Sequence, residues 1–358
     1  MRQFWVNTLV KFWDSPLWLR KLFTGIGTVI VFKSSNKRCR EYLESIAKVC
    51  HQNNVELTEH LKKDIIHSFI MFGASPTEFF LFNFIKKSDS ERDEFLTDAY
   101  RTQLQKKVIG LDLFKNELID KYNFYLLNQV FFHRACLKIT KDTSYEIFRE
   151  FVKNQGKVFL KINAGSFGYN AHSVSYGDEE SLICKYKKLH LNEGTQWIAE
   201  GLVVQDSFMA VWNKTSVNTI RMPSFLTGGQ NVIFRPFIRT GRAGAMVDNA
   251  GAGGIFAVID ETTGRIITDG ADEAFNRYER HPDANIDFRG WQVPRWNELL
   301  RLTETAHRQM SQHKYIAYDF ALTKDGWVMI EGNWGQYICQ QTATQSGAKK
   351  KFKELINS

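Results

Sequence analysis

The spacing of apolar positions changes part-way along the chain. In the first part it is largely helical; from residue 157 onward apolar residues come in short runs separated by glycines. In residues 1–32, Phe4, Trp5, Leu9, Phe12 and Trp13 fall at i, i+1, i+5, i+8 and i+9, roughly one helical face, with Arg2 and Lys11 off it. Residues 38–135 read as mostly helical. Ser75-Pro76-Thr77-Glu78 is a helix start, with Ser at the N-cap, Pro at the first helical position and Glu at the third. The Phe79-Phe80-Leu81-Phe82 that follows is too apolar for an exposed helix and belongs in a core. Residues 106–110 read as a connection. Thr143-Ser144-Tyr145-Glu146 predicts a second capping box, opening a helix that Gly156 ends.

Beyond it the pattern predicts strands at residues 158–162, 201–205, 217–222, 232–239, 255–260 and 265–268. One long helix over 294–310 turns Trp296, Leu299, Leu300, Thr303, Ala306 and Met310 inward. A hairpin closes the pattern. Ile316, Phe320 and Leu322 fill one arm, Val328 and Ile330 the other, and Asp325-Gly326 is the turn signal between them. Pairing across that turn brings Asp319 close to Glu331, and strand alternation points Asn333 the same way. Two carboxylates and an amide oxygen at a sheet end form an oxygen-only cage, which suits Mg²⁺ bound beside nucleotide phosphates. Taken alone, the same residues also fit a polar hairpin with solvated ends. The C-terminal two-thirds is therefore expected to be α+β with a largely antiparallel sheet.

Charge changes this picture at one end only. The 358 residues carry a net charge of +8, yet residues 1–40 hold eight Lys/Arg against Asp14 alone. The basicity is local, which argues against a nucleic-acid-binding face across the whole protein. It also gives residues 1–32 two readings: a basic, Trp-rich helix in an anionic membrane interface, or a helix packed on the body of the protein. The apolar run at residues 29–32 is far too short to span a bilayer, and aromatic and charged residues interrupt any signal-peptide core. The five cysteines are scattered without a CxxC pair, so neither a zinc site nor a disulfide framework is expected, and a reducing cytoplasm fits.

Three further constellations could carry chemistry. Lys161 lies in an apolar strand before Asn163-Ala164-Gly165-Ser166-Phe167-Gly168, a lysine beside a glycine-rich turn. Such a pair can grip phosphate, the ammonium meeting oxygens while small residues admit backbone N–H groups; an exposed lysine before an ordinary turn is the other reading. Asp248-Asn249-Ala250-Gly251-Ala252-Gly253-Gly254 is a second small-residue loop, either backbone lining an anion or substrate site or a flexible connection. Arg221, Arg235 and Arg239 occupy strand positions, with Arg221 and Arg235 the candidates for stabilising a transferring phosphate. The histidines show no metal-ligand spacing, and no GxSxG motif or nucleophile set is present.

The order and spacing of these motifs resemble the ATP-grasp enzymes, most closely their sugar-transfer-associated branch. The resemblance rests on Asp120-Lys121, Val158-Phe159-Leu160-Lys161, Val204-Gln205-Asp206, Val217-Asn218-Thr219-Ile220-Arg221, Val247-Asp248-Asn249 through Gly254, and Tyr318-Asp319 through Glu331-Gly332-Asn333. It spans roughly residues 110–345, with Gly73-Ala74-Ser75-Pro76 a weaker match. It implies an ATP-grasp fold, two α+β lobes clasping ATP, preceded by a mostly helical region. The implied divisions are a basic aromatic segment (1–35), a helical region (36–109), an N-terminal lobe (110–200) and a C-terminal lobe (201–358).

Within that frame Lys121, Lys161 and the Gly165, Ser166 and Gly168 flap would hold phosphates. Val204, Gln205 and Asp206 would meet the adenine, and Asp248, Asn249, Gly253 and Gly254 the substrate. Asp319, Glu331 and Asn333 would ligate Mg²⁺, with Glu331 bridging two ions. The implied activity is a ligase that makes an acyl phosphate for attack by an amine or thiol, acting on a small-molecule or lipid-linked glycan in the cytoplasm at the inner membrane face. A phosphotransferase acting on a sugar or hydroxyl acceptor and a non-catalytic, membrane-associated nucleotide-binding protein are the alternatives. The chain departs from the peptide-ligase members in two places. It carries Ala317 where they place an arginine, so Arg221 or Arg235 would have to serve, and Gln205 where many have glutamate.

Overall fold

The computed structural model describes residues 2–33, 37–109, 118–164, 171–192, 194–245, 248 and 253–358. Helices dominate up to Phe132: Arg2–Trp13, Leu17–Lys33, Lys37–Gln52, Glu59–Phe72, Pro76–Leu81, Asp89–Asp93, Asp98–Ile109 and Lys121–Phe132. Ser75 caps its helix as expected, accepting from the Glu78 N–H while Glu78 returns to the Ser75 N–H. The second predicted N-cap is shifted by one residue. Ser144 is the N-cap of Tyr145–Gln155, and Thr143 instead accepts from the Thr140 N–H.

The amino-terminal segment is two helices rather than one, broken at Ser15-Pro16. The first packs on the body: Val10 and Trp13 are buried, and the Trp13 indole donates to the Ile70 carbonyl at 3.2 Å. Among the described residues no helix is long and apolar enough to cross a membrane.

Two antiparallel sheets follow. The smaller has the order β1-β4-β2-β3, from β1 (Cys136–Ile139), β2 (Lys157–Ile162), β3 (His172–Ser175) and β4 (Trp197–Gly201). Tyr145–Gln155 packs on it through Phe148 and Val152, and Glu179–Lys187 through Leu182. The larger sheet comprises β5 (Thr219–Thr227), β6 (Gln230–Ile233), β7 (Phe237–Thr240), β8 (Ile255–Val258), β9 (Gly270–Ala271), β10 (Arg277–Tyr278), β11 (Tyr315–Thr323) and β12 (Gly326–Asn333). Its order is β10-β9-β8-β7-β5-β11-β12, with β6 paired to β5.

Alternation along β11 sends Ile316, Tyr318 and Phe320 into one core with helices Trp296–Gln309 and Lys121–Phe132. Tyr315 and Ala317 enter a second core with Tyr100, Phe352 and Leu355. Asp319 shares the face of Ala317. The two sheets thus bring the ends of β2 and β4 near the β11–β12 hairpin, where the candidate site lies.

Several elements differ from the sequence pattern. The predicted strand at 201–205 lies four residues earlier, as Trp197–Gly201. Residues 265–268 form only isolated bridges, Ile259 to Ile266 and Arg265 to Gln292. The stretch 232–239 is interrupted because Arg235 takes a positive φ of 54° before Pro236, which ends β6 and starts β7 afresh.

Candidate functional site

The hairpin is built with an irregularity that sets the site. Thr323 pairs with Gly326, so the two-residue turn is Lys324-Asp325, one residue earlier than the Asp-Gly signal places it. Gly326 follows at φ 138°, a conformation open to glycine. From that turn a regular ladder would set Asp319 opposite Ile330. The register instead shifts between Asp319 and Phe320, leaving Ile330 as an extra residue and Glu331 opposite Asp319. A bulge bends its strand and re-aims the side chains beside it; here it puts the two carboxylates face to face. Glycine is required at 332, because a Cβ there would sit inside the Phe124 ring. Asn333 accepts from the Gly335 N–H at 2.8 Å.

Asp319 is almost wholly buried and clamped by arginines from two strands. Arg221, directly opposite it on β5, donates twice, Nε to Oδ1 and Nη2 to Oδ2, both at 2.6 Å. Arg239 on β7 donates to Oδ2 at 3.0 Å and reaches Asp248 at 3.2 Å, and Asp248 also accepts from the Thr219 hydroxyl. Burial pushes the Asp319 carboxyl up, but Arg221 and Arg239 outweigh it and hold the group below the usual carboxylate range. For Asp248 burial wins, and its pKa is raised despite Arg239. Two parallel charge-assisted bonds from a planar guanidinium make the Arg221 contact the strongest of these.

This arrangement explains Ala317. The position is fully buried against the chain at Gly335, where an added Cβ would already collide with the Ala317 methyl group. No arginine fits there, and the guanidinium beside Asp319 arrives from the neighbouring strand. Arg235, the other expected candidate, does not join the site. Its guanidinium donates to the carbonyls of Ser346 and Gly347, at 2.9 and 3.1 Å, and its N–H to Glu261. Arg239 takes the place expected for Arg235.

The opposing lip comes from the smaller sheet. Lys161 on β2 pairs with Glu200 on β4 at 3.1 Å, and Arg134 reaches the same carboxylate at 3.3 Å. Arg134 also donates to the carbonyls of Met329 and Ile330 at 2.6 and 3.3 Å, bracing the smaller sheet against the bulged strand. Burial raises the Glu200 pKa, but Lys161 and Arg134 bring it below the usual range. Lys121 opens its helix behind the Asp120 N-cap and is tied to the end of β2, its N–H donating to the Asn163 carbonyl at 3.2 Å. Burial lowers the Lys121 pKa; Glu331 opposes that shift and Lys161 adds to it, so these three charges sense one another across the two sheets.

The remaining expected residues divide. Val204 is 79% exposed on the segment after β4. The side chain of Gln205 is committed inward: it donates to the Asn213 and Ser216 carbonyls at 2.8 and 2.7 Å and accepts from Asn218. Asp206 caps the helix Ser207–Ala210, accepting from the Phe208 N–H at 2.8 Å. Both side chains are therefore taken up by local structure, which leaves an adenine only the backbone and Val204 there. Gly253 has φ 86° and Gly254 follows it into β8. Gly165, Ser166, Gly168 and Asn249 lie outside the described residues.

Sequence reasoning missed Arg134, Glu200 and the role of Arg239. Glu200 carried a signal, a lone acid inside the apolar strand Trp197–Gly201. Arg239 was visible as a strand arginine, but only the β5–β7 register, which pairs it with Thr219, shows that it reaches Asp319. Arg134 had no signal in spacing.

Among the described residues no group of three His, Cys, Asp or Glu side chains is assembled to hold a metal ion. Asp319, Glu331 and Asn333 are two carboxylates and an amide, an all-oxygen set whose chemistry suits a hard divalent cation.

Residues 187–357 match the sequence model of the family described as sugar-transfer associated ATP-grasp. No curated protein matches the chain. Among solved structures it is similar to the D-alanyl-alanine synthetase A of Vibrio cholerae O1 biovar eltor, at 13% identity and a TM-score of 0.42, covering 67% of this chain and 65% of that one. It is also similar to the VanG D-Ala:D-Ser ligase of Enterococcus faecalis, at 11% identity and a TM-score of 0.42, covering 71% and 62%. A third is the ATP-grasp ligase PsnB complexed with minimal precursor, at 9% identity and 0.41, covering 67% and 60%. The chain thus spans less than two thirds of each of these structures. The likeness to the sugar-transfer associated ATP-grasp family thus covers residues 187–357, just under half of the chain.

Proposed function

We propose that the chain is an ATP- and Mg²⁺-dependent ligase that activates a carboxylate as an acyl phosphate for attack by an amine or thiol, in the synthesis or modification of a cell-surface glycan. The observation that carries this reading is the opposition of charge where the two sheets meet: Lys121 and Lys161 on one side, Asp319 and Glu331 on the other. The family description, associated with sugar transfer, supports the glycan as the substrate class.

Each side chain has a role that follows from its place. Lys121 and Lys161 bind phosphate oxygens and draw charge from the γ-phosphate. Asp319, Glu331 and Asn333 would hold Mg²⁺, which would supply further neutralisation of the triphosphate. A substrate carboxylate oxygen bonds to the γ-phosphorus while the bond to the β–γ bridging oxygen breaks and ADP leaves. The amine or thiol then adds to the acyl carbon and inorganic phosphate departs. Arg221, held beside Asp319, supplies the guanidinium that Ala317 lacks. No protein nucleophile is called for; positioning and electrostatics do the work.

A screen of amino acids and sugar acids, paired with amine acceptors, for release of ADP and phosphate tests the reading, with Glu331→Gln as the blank. Equal release of ADP and phosphate with a new amide or thioester is expected. A phosphorylated acceptor without free phosphate would make the protein a phosphotransferase. No ADP, together with no thermal stabilisation by Mg-ATP, would make it a non-catalytic protein.

A further inference from the structure

The helix Leu17–Lys33 has two unlike faces. One is pinned to the body. The buried Arg20 donates both terminal nitrogens to Asp93, at 2.9 and 2.7 Å, and reaches the Met71 carbonyl at 2.9 Å. Gly27 lies so close to the helix Glu59–Phe72 that an added Cβ would meet Ile70 at 2.9 Å. Arg20, Thr24, Gly27 and Val31 therefore set which way the helix turns.

The opposite face carries Trp18, Leu22, Phe23, Ile26, Val29 and Ile30, each between 52% and 66% exposed. Their spacing, i, i+4, i+5, i+8, i+11 and i+12, makes one continuous apolar strip roughly 18 Å long. No charged residue occurs from Leu22 to Phe32. Basic residues accompany it: Lys21 lies between Trp18 and Leu22 in sequence, and Lys37 and Arg40 follow the strip, all exposed. A strip this long on one face, rather than single scattered apolar residues, marks a contact surface.

We propose that this face docks on an anionic lipid bilayer, the helix lying in the boundary between headgroups and acyl chains. Charge complementarity selects lipid as the occupant: residues 1–40 hold eight basic residues against Asp14 alone, and although Arg20 is buried against Asp93 and Lys21 and Lys37 pair with Asp89 and Glu41, Arg2, Lys11, Lys33, Arg38 and Arg40 keep this end of the chain basic. Trp18 at one end suits the interfacial level, where an aromatic ring meets both environments. The anchor is thereby moved from the aromatic residues of the first helix, whose Trp13 is packed inward, to the outer face of the second. The inference does not rest on the ligase reading.

The test is co-sedimentation of the full-length protein with vesicles of phosphatidylglycerol and phosphatidylcholine in equal parts, and with phosphatidylcholine alone. The wild type is expected to pellet with the anionic vesicles and less with the neutral ones. Leu22→Ser, Ile26→Ser and Ile30→Ser together should lower the partition coefficient by about tenfold or more. The single Ile26→Asp should act in the same direction if the triple variant does not fold. Absence of binding by the wild type, or unchanged binding by folded variants, overturns the proposal. So does a wild type that is dimeric without lipid and becomes monomeric in the triple variant, which would make the strip a contact between two copies.

Discussion

Both sheets bury a carboxylate between two cations, yet the two clamps are built differently. In the smaller sheet Lys161 and Arg134 hold Glu200, and Arg134 crosses to the other sheet through the Met329 and Ile330 carbonyls. In the larger sheet Arg221 and Arg239 hold Asp319 within three adjacent strands, β11, β5 and β7. The charged residue beside each clamp differs in sign. Lys121 stands beside the first clamp and Glu331 beside the second. The lesson is that Lys161 and Asp319 each serve a clamp that ties elements together as well as one side of the proposed ligand site. Lys121 and Lys161 are suited to phosphate, and Asp319 and Glu331 to a cation.

The largest expected effect separates those two roles. Lys161→Met should lower kcat/KM by roughly 10²-fold, mainly through the KM for ATP. It should also cost about 1–3 kcal/mol of stability, because Glu200 keeps only Arg134. Glu331→Gln should lower kcat by roughly 10³-fold with little change in stability, since no ion pair of the scaffold depends on it. Steady-state ADP release and urea denaturation measure both. If the two variants change the same kinetic parameter by the same factor, the division between a phosphate lip and a metal lip is wrong.

How much of this was legible in sequence follows from what local pattern encodes. The capping box at Ser75, the strand of Lys161, the hairpin and the pairing of Asp319 with Glu331 were readable, because each depends on residues close in sequence or on a two-residue alternation. The bulge at Ile330 was not: a three-residue Lys324-Asp325-Gly326 turn gives the same pairing of Asp319 with Glu331 without it. The choice of Arg239 over Arg235 was equally hidden. It depends on a positive φ at Arg235 and on which strands are neighbours, and neither is local. The capping role of Asp206 was available from its position before a short helix, whereas the inward turn of Gln205 depends on the Asn213–Asn218 loop.

The second expected effect contrasts the sheets by pH. His307 is buried under β5, with Nδ1 2.6 Å from the Ser224 hydroxyl and Nε2 2.8 Å from the His313 carbonyl. Burial lowers its pKa to about 4 from an ordinary value of 6.5, against the opposing hydrogen bond to His313. Between those values the unfolded chain binds a proton that the native protein refuses. The stability His307 permits is complete above pH 6.5 and declines as pH falls toward 4, by roughly 3 kcal/mol. Glu200, whose pKa is depressed, loses its contribution only below about pH 4.5. Glu78, raised to about 7 by burial, acts in the opposite direction over the same range, so the wild-type profile alone is not diagnostic. The difference between wild type and His307→Gln in urea midpoint at pH 7 and pH 4.5 isolates the larger sheet. A constant difference across that range would remove His307 as its acid-sensitive point.

The smallest effect is the sharpest test of the Asp319 clamp. Arg239 lies between two buried carboxylates that burial pushes up alike, yet Asp319 is held below the usual range and Asp248 above it. Arg221 accounts for the difference: it gives Asp319 two short bonds and faces Asp248 only at a distance, while the charge on Asp319 repels Asp248. A raised native pKa means that any stability from Asp248 is present below its unfolded value of 3.8 and is lost as pH rises through the native one. Asp248→Asn, neutral at every pH, should therefore change stability at neutral pH by about 1 kcal/mol or less, with the Thr219 hydroxyl free to bond the amide. Urea denaturation at pH 7 decides it. A loss of about 3 kcal/mol or more would mean that Arg239 depends on an ionised Asp248. The two arginines would then be shared equally between the carboxylates, and Asp319 would have no privileged hold on the guanidiniums beside Glu331.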